Sequence, residues 1–283
     1  MNDFNEKRPK FYHAVNIVTM ACNLKCELCI LYVPYYRTQW HPTLEFVNEV
    51  TDRAFAMGDY ECFEFNGGEP LLRKDLADIY EHAYKYIDNA DRFKTVTNGT
   101  TMPDGRLINI WKKYGNKFHC IVDDYGEKLS SNAVAVVEKL RSEGISCELR
   151  DMHTENKHHG GWVDFRADEP KWKKEELKEV YANCSQVKVL KHCCNIIRGI
   201  LMPCHLQFQV MDRGICEPAQ NEFIDLFDES ESLEDKRKKM EGIQKLPYLR
   251  ACAWCPGFND DTPRCKPAIQ LDISKAEIEN KLI

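Results

Sequence analysis

The chain has 283 residues, 43% hydrophobic and 30% charged, enough to bury the core of one large α/β domain with an appendage or of two modest domains. A net charge of −6 gives no basic field for nucleic acid or an anionic membrane, and no apolar run approaches the ~20 residues of a membrane span. Residues 1–10 are polar, with no apolar core of a signal peptide, so the reading is a cytoplasmic protein whose fourteen cysteines serve metal or catalysis rather than disulfides.

Residues 11–19 predict a first strand, which runs directly into Cys22, Cys26 and Cys29. An aromatic and basic stretch, 32–42, extends that loop. Thr43 is placed to cap a helix that runs to about Met57 and stops at Gly58. Residues 61–65 predict a second strand, followed by Asn66-Gly67-Gly68-Glu69-Pro70. A helix over 75–88 leads to a third strand, 93–97, which ends in Asn98-Gly99. A short helix over 106–113 precedes a fourth strand, 118–122, entering Asp123-Asp124. A helix over 131–143 stops at Gly144, and a fifth strand, 145–149, enters Arg150-Asp151-Met152-His153. Residues 154–170 have no clean period and read as a loop insertion; a helix over 172–182 and a sixth strand over 187–190 follow. Beyond residue 184 cysteines crowd in. Residues 200–210 with 212–214 read as a β-hairpin, and 230–244 as a charged, solvated helix without a function of its own.

Strands alternating with helices imply right-handed βαβ units and a parallel sheet. Five or six units fall short of the eight that close a full barrel. In parallel α/β folds the site lies at the C-terminal strand ends. The cysteine loop, the Gly67-Gly68 loop, Asn98-Gly99, Asp123-Asp124 and Arg150-Asp151 each follow a predicted strand directly.

Three thiolates at Cys-x3-Cys-x2-Cys spacing can hold a cubane iron–sulfur cluster by three of its irons and leave the fourth open. A zinc site would want a fourth ligand from a nearby pair. With Gly67-Gly68-Glu69-Pro70 after the second strand and Thr97-Asn98-Gly99 after the third, the sequence resembles the radical S-adenosylmethionine (SAM) superfamily over roughly residues 11–190. The resemblance implies a partial (β/α)6 barrel over residues 1–183. It also implies a [4Fe–4S] cluster on Cys22, Cys26 and Cys29 whose open iron binds SAM, and cleavage of SAM to a 5′-deoxyadenosyl radical that abstracts hydrogen from substrate. Gly67, Gly68, Glu69, Pro70 and Asn98 are then expected around SAM, and Arg150 is a candidate partner for its carboxylate or for an ordinary ion pair. Where many members carry an aromatic residue before the third cysteine, this chain has Leu28, so contact with the adenine there is only apolar.

Cys184, Cys204, Cys252 and Cys255 make a closed four-thiolate set of zinc or cluster type. They look like the twitch or SPASM extension of the same superfamily, implying a small β-hairpin/helix region over 184–283 with an auxiliary [4Fe–4S] cluster. Cys193 and Cys194 leave that ligand set ambiguous. Cys62, Cys120 and Cys147 sit in predicted strands as small core residues. Cys216 and Cys265 are left over, and either is a candidate hydrogen-atom donor. Asp123 and Asp124 are candidates for substrate hydroxyls or the SAM ribose, or for a turn or helix cap, and His153, His158, His159 and Trp162 for a substrate lid.

The layout is similar to twitch-type sugar and aminocyclitol dehydrogenases and epimerases, with no peptide-recognition domain expected before the cysteine core. The spare cysteines tilt the reading to epimerisation. The alternatives are a peptide maturase, using residues 35–41 to bind its substrate, and a non-catalytic iron–sulfur or zinc protein. A flavodoxin or ferredoxin is the electron donor the resemblance implies.

Overall fold

The structure is a computed structural model that describes residues 8–191, 193–278 and 283; part of the polar N-terminal stretch lies outside those residues. Strands and helices alternate as the periodicity predicts: β1 (Lys10–Thr19), α1 (Leu44–Met57), β2 (Asp59–Gly67), α2 (Leu76–Ala83), β3 (Ala90–Thr97), α3 (Gly105–Tyr114), β4 (Phe118–Asp124), α4 (Ala133–Ser142) and β5 (Cys147–Asp151). Then follow α5 (Leu177–Ala182), α6 (Ser185–Lys188), β6 (Cys194–Ile197), β7 (Ile200–Met202), α7 (His205–Asp212), β8 (Ile224–Asp225), α8 (Leu233–Ile243) and α9 (Ile273–Ile278).

One open eight-stranded sheet has the order β5-β4-β3-β2-β1-β6-β7-β8. β1 to β5 are parallel, β6 joins parallel to the far side of β1, and β7 and β8 are antiparallel. The chain must therefore cross from the β5 edge back over the sheet to the far side of β1 between β5 and β6. The irregular stretch that follows His153 makes that crossing.

Period-two alternation gives the sheet two unlike faces. Phe63, Phe65, Phe93, Phe118, Cys120 and Val122 point to the helices and pack with Phe55, Tyr80 and Trp111 in the main core. Their neighbours Glu64, Asn66, Lys94, Val96, Ile121 and Asp123 point the other way, into a cavity. Cys120 is a core residue as its position predicts, and Cys147 packs at the edge of the same core.

Three elements differ from the sequence reading. Residues 187–190 do not form a strand: α6 occupies part of them, and the sixth strand is β6, whose four residues are all buried. The hairpin comprises β6 and β7 around Arg198-Gly199, while α7 takes residues read as its second strand. A short apolar run fits helix or strand equally, and its period alone does not decide between them. The aromatic and basic stretch after the cysteines is presented only in its second half, where Arg37, Thr38 and His41 are exposed. Tyr32, Val33, Pro34 and Tyr35 are buried, Tyr32 and Tyr35 stack at 4.1 Å, and the Tyr36 hydroxyl donates to Asp212 at 2.5 Å.

No helix of the described residues is long and apolar enough to cross a membrane. Helix α1 begins as the sequence predicts, with Thr43 Oγ1 accepting from Phe46 N–H at 3.3 Å and Gly58 at its end. Replacing Thr43 by Ala removes that cap and is expected to lower the unfolding free energy by about 1 kcal/mol, read from urea denaturation with an unchanged m-value.

Candidate active site

β1 and β2 continue their pairing beyond the strands. Gly68 N–H donates to the Thr19 carbonyl at 2.9 Å and Glu69 N–H to the Ala21 carbonyl at 2.8 Å. A Cβ on Gly67 would stand 2.0 Å from the Thr19 oxygen, and one on Gly68 2.4 Å from the Ala21 oxygen. Only glycine allows the two loops to lie this close. The cysteine loop and the glycine loop thus form one wall.

Glu69 locks that wall to the end of β3. Its Oε1 accepts from Thr97 Oγ1 and from Leu71 N–H, both at 2.9 Å, and its Oε2 accepts from Asn98 N–H at 2.7 Å. Burial pushes its carboxyl up to about 7, against the pull of those donors. Neither Glu69 nor Pro70 lines the cavity; both stand behind Gly67, Gly68 and Asn98, which do.

The cavity has a volume of about 650 Å³, within the range that takes a small molecule. Cys22, Cys26, Cys29 and Leu28 form one side of its mouth. Burial pushes the Cys22 thiol up to about 11 and Cys26 to about 12, and raises Cys29 as well. Three neighbouring thiolates there are stable only against a bound cationic centre, which makes the donor set fit a metal site. Among the described residues, no three His, Cys, Asp or Glu side chains converge tightly enough for a single metal ion. A cubane binds each cysteine through a different iron, so it tolerates the wider spacing.

The sheet face supplies two charged pairs. Glu64 stands 3.3 Å from His13 Nε2 and 3.5 Å from Lys94 Nζ, and accepts from Asn66 Nδ2 at 2.8 Å. Burial would raise its carboxyl, but His13 and Lys94 win and hold it down to about 2. Asp123 accepts from Arg150 Nε at 2.6 Å and from the Tyr125 hydroxyl at 3.3 Å. Both alternatives for Arg150 meet in one residue: it is ion-paired, and it lines the cavity. Its two terminal amino groups have no protein hydrogen-bond partner among the described residues.

Several expected residues lie elsewhere. Asp124 is a turn residue, accepting from Gly126 N–H at 2.8 Å, and does not line the cavity. His153 is exposed, held near Asp151 and Asp124, and its place on the wall is taken by His158, His159 and Trp162. The turn after β5, in which His153 N–H donates to Asp151 Oδ1 at 2.9 Å, leaves His153 outside, whereas the crossing segment brings the later residues to the cavity wall. Cys216 packs beside Cys204 and Cys255, and Cys265 is bridged backbone to backbone with Trp162; neither lines the cavity. The sequence reading missed His13, Glu64, Lys94 and His205, because an isolated polar residue inside a strand, or at the start of a helix as His205 is, has no motif. The signal that could have found Glu64 and Lys94 is their charge on the face opposite the phenylalanines.

A second cysteine set gathers beyond the cavity. The charges of Cys184, Cys204 and Cys252 each act on Cys255, and burial raises all four thiols. Ser185 N–H donates to the Phe258 carbonyl at 2.5 Å, and both residues line the cavity, so the set adjoins it. Cys193 packs with Val15 and Ile17, and Cys194 against Met240 Sδ at 4.0 Å.

A family model described as Radical SAM superfamily matches residues 16–151. The GTP 3',8-cyclase of Vibrio vulnificus is 31% identical over 125 residues, 42% of this chain and 36% of the relative. An S-adenosylmethionine-dependent nucleotide dehydratase of Selenomonas ruminantium is 29% identical over 97 residues, 34% of this chain and 33% of the relative. The chain thus spans about a third of the length of these curated relatives. A solved structure described as native anSMEcpe with bound AdoMet and Kp18Cys peptide shares the fold, with TM-score 0.54, 14% identity and 96% of each chain covered.

Glu69 sets a pH test of the wall. Its native carboxyl near 7, against 4.5 when unfolded, binds a proton that the unfolded chain has lost between those values. Stability should therefore fall as pH rises from about 4.5 to about 7, then level off. Glu69→Gln should lose that slope in urea titrations at stepped pH and, by leaving Asn98 N–H or Thr97 unserved, cost about 1–3 kcal/mol.

Proposed function

We propose, from the match of residues 16–151 to the Radical SAM superfamily model, that this protein is a radical SAM enzyme that oxidises a carbinol carbon of a compact, hydroxylated substrate, a sugar or sugar nucleotide. The observation that carries the reading is the cavity of about 650 Å³, with the cysteine loop on one side and two charged pairs on its sheet face. Hydroxyl groups can accept from Lys94 and Arg150 and donate to Glu64 and Asp123. An apolar cavity would offer a polyol no such partners.

Cys22, Cys26 and Cys29 would hold a [4Fe–4S] cluster, and when bound with SAM it supplies a 5′-deoxyadenosyl radical for hydrogen abstraction. Gly67 and Gly68 bring backbone polar groups to the wall beside the cysteines, and Asn98 Nδ2 reaches the same place, 3.0 Å from Asn23 Oδ1. Leu28 offers an apolar surface on that side, suited to the adenine. Arg150 keeps its terminal amino groups for a carboxylate or hydroxyl, while Asp123 fixes its Nε. A flavodoxin- or ferredoxin-type donor supplies the electron.

Cys184, Cys204, Cys252 and Cys255 would hold an auxiliary cluster, a one-electron acceptor beside the cavity. Among the described residues no thiol other than Cys22, Cys26 and Cys29 lines the wall, so an epimerase has no donor where it needs one. Dehydrogenation is favoured for that reason, reversing the tilt given by the spare cysteines. Relatives named for GTP and for nucleotides favour the sugar-nucleotide form of the substrate.

Anaerobic protein reduced with dithionite should form 5′-deoxyadenosine from SAM, and Cys26→Ala should form none; absence of product from fully reconstituted wild type would sink the catalytic reading. With candidate sugar nucleotides in deuterated water, the product should be a ketone; deuterium at an inverted carbon overturns dehydrogenation in favour of epimerisation. Iron content should fall from about eight to about four per chain when Cys252 and Cys255 are both changed to Ala. A wild-type chain with about four irons and one zinc would instead assign the second set to structural zinc.

A further inference from the structure

Residues 265–271 lie across the cysteine loop as a strap. Glu27 N–H donates to the Ile269 carbonyl and Leu271 N–H to the Lys25 carbonyl, both at 2.7 Å, closing an antiparallel bridge between Cys26 and Gln270. The Gln270 side chain is fixed at both ends. Its Oε1 accepts from Lys25 N–H at 2.8 Å, and its Nε2 donates to the Ala268 carbonyl at 2.8 Å. An amide nitrogen carries two hydrogens, and the second points to Cys26 Sγ at 3.6 Å. Cys26 is buried there among Leu24 and Ala268, so the dipole acts in a poorly screened environment. A donor 244 positions away in sequence thus sits on the sulfur of the middle cysteine. The contact of Asn98 Nδ2 with Cys22 Sγ is longer, 3.9 Å.

We propose that Gln270 is a positioning residue that sets the reduction potential of a cluster held by Cys22, Cys26 and Cys29, through its N–H on the Cys26 sulfur. The inference rests on that assignment of the three cysteines. Reduction adds negative charge that spreads onto the ligand sulfurs. An N–H dipole aimed at one sulfur stabilises the reduced state more than the oxidised one, and so raises the potential. Tethering the donor through a backbone bridge keeps it in place without costing rotamer freedom at each reduction.

The test is an EPR-monitored redox titration of reconstituted protein, with iron content measured on the same samples. The cluster at the cavity mouth is recognised by the change in its signal on adding SAM. Gln270→Leu removes donor and acceptor; Gln270→Glu keeps the acceptor for Lys25 N–H and removes the donor. Both should move the midpoint negative by roughly tenfold in the one-electron equilibrium, about 59 mV. Ile269→Ala trims a side chain that is 41% exposed and keeps the backbone bridge, so its potential should match wild type. An unchanged midpoint in both Gln270 variants at full iron content overturns the inference, as does an equal shift in Ile269→Ala. If Cys26→Ala keeps the SAM-responsive cluster, the cysteine assignment has failed instead.

Discussion

The continuation of the β1–β2 ladder past the end of its strands is the constraint on which the site depends. Two backbone bonds, from Gly68 to Thr19 and from Glu69 to Ala21, hold the glycine loop against the start of the cysteine loop. The approach is too close for any side chain on Gly67 or Gly68. Glu69 then carries the fixation to a third strand, because its two oxygens take donors from both its own turn and the end of β3. A buried carboxylate is costly unless its lone pairs are served, and here three donors serve them. Three strand ends are thereby held in one frame, and the thiols inherit their positions from it.

The same sheet separates stability from chemistry by face. On the helix side, Phe55, Phe63, Phe93, Tyr80 and Trp111 build an aromatic core. On the other, each strand that carries a phenylalanine outward carries a charge inward. Burying Glu64, Lys94, Asp123 and Arg150 costs desolvation that their pairing only partly returns. Such pairs are poor choices for stability, which is consistent with their standing in a cavity that takes a polar ligand. The crossing from β5 to β6 covers this face, and Trp162, packed edge-on against Tyr125 at 5.6 Å, forms part of that cover.

Both chain ends of the site are tied to the cysteine loop by remote segments. Arg166 bonds Glu27 at 2.8 Å from the crossing segment, and the strap through Gln270 pairs with residues 25–27 from the C-terminal side. Leu24 and Leu31 anchor the loop in apolar clusters. Cross-strand bonds and an ion pair add to that anchoring, and they also place polar groups next to the sulfurs.

Much of this was legible in the sequence, and for physical reasons. Helix and strand periods fixed the alternation of β1 to β5 with α1 to α4, Thr43 and Gly58 marked the ends of α1, and cysteine spacing marked the mouth of the cavity, because these are local properties. Short apolar runs after residue 184 did not declare helix or strand, so α6 and α7 were misread and β6 emerged only with its partner β1. Which polar residues face the cavity was also beyond local pattern: Asp123 and Asp124 are neighbours in sequence, yet the pleat sends one inward and leaves the other in a turn. His153 against His158, the inward charges of Glu64 and Lys94, and the reach of Gln270 to Cys26 depend on how distant strands and segments meet. Sequence alone determined which chemistry the chain can carry. Tertiary structure decided which side chains stand where that chemistry happens, since a side chain's direction is set by the partners its backbone finds across the fold.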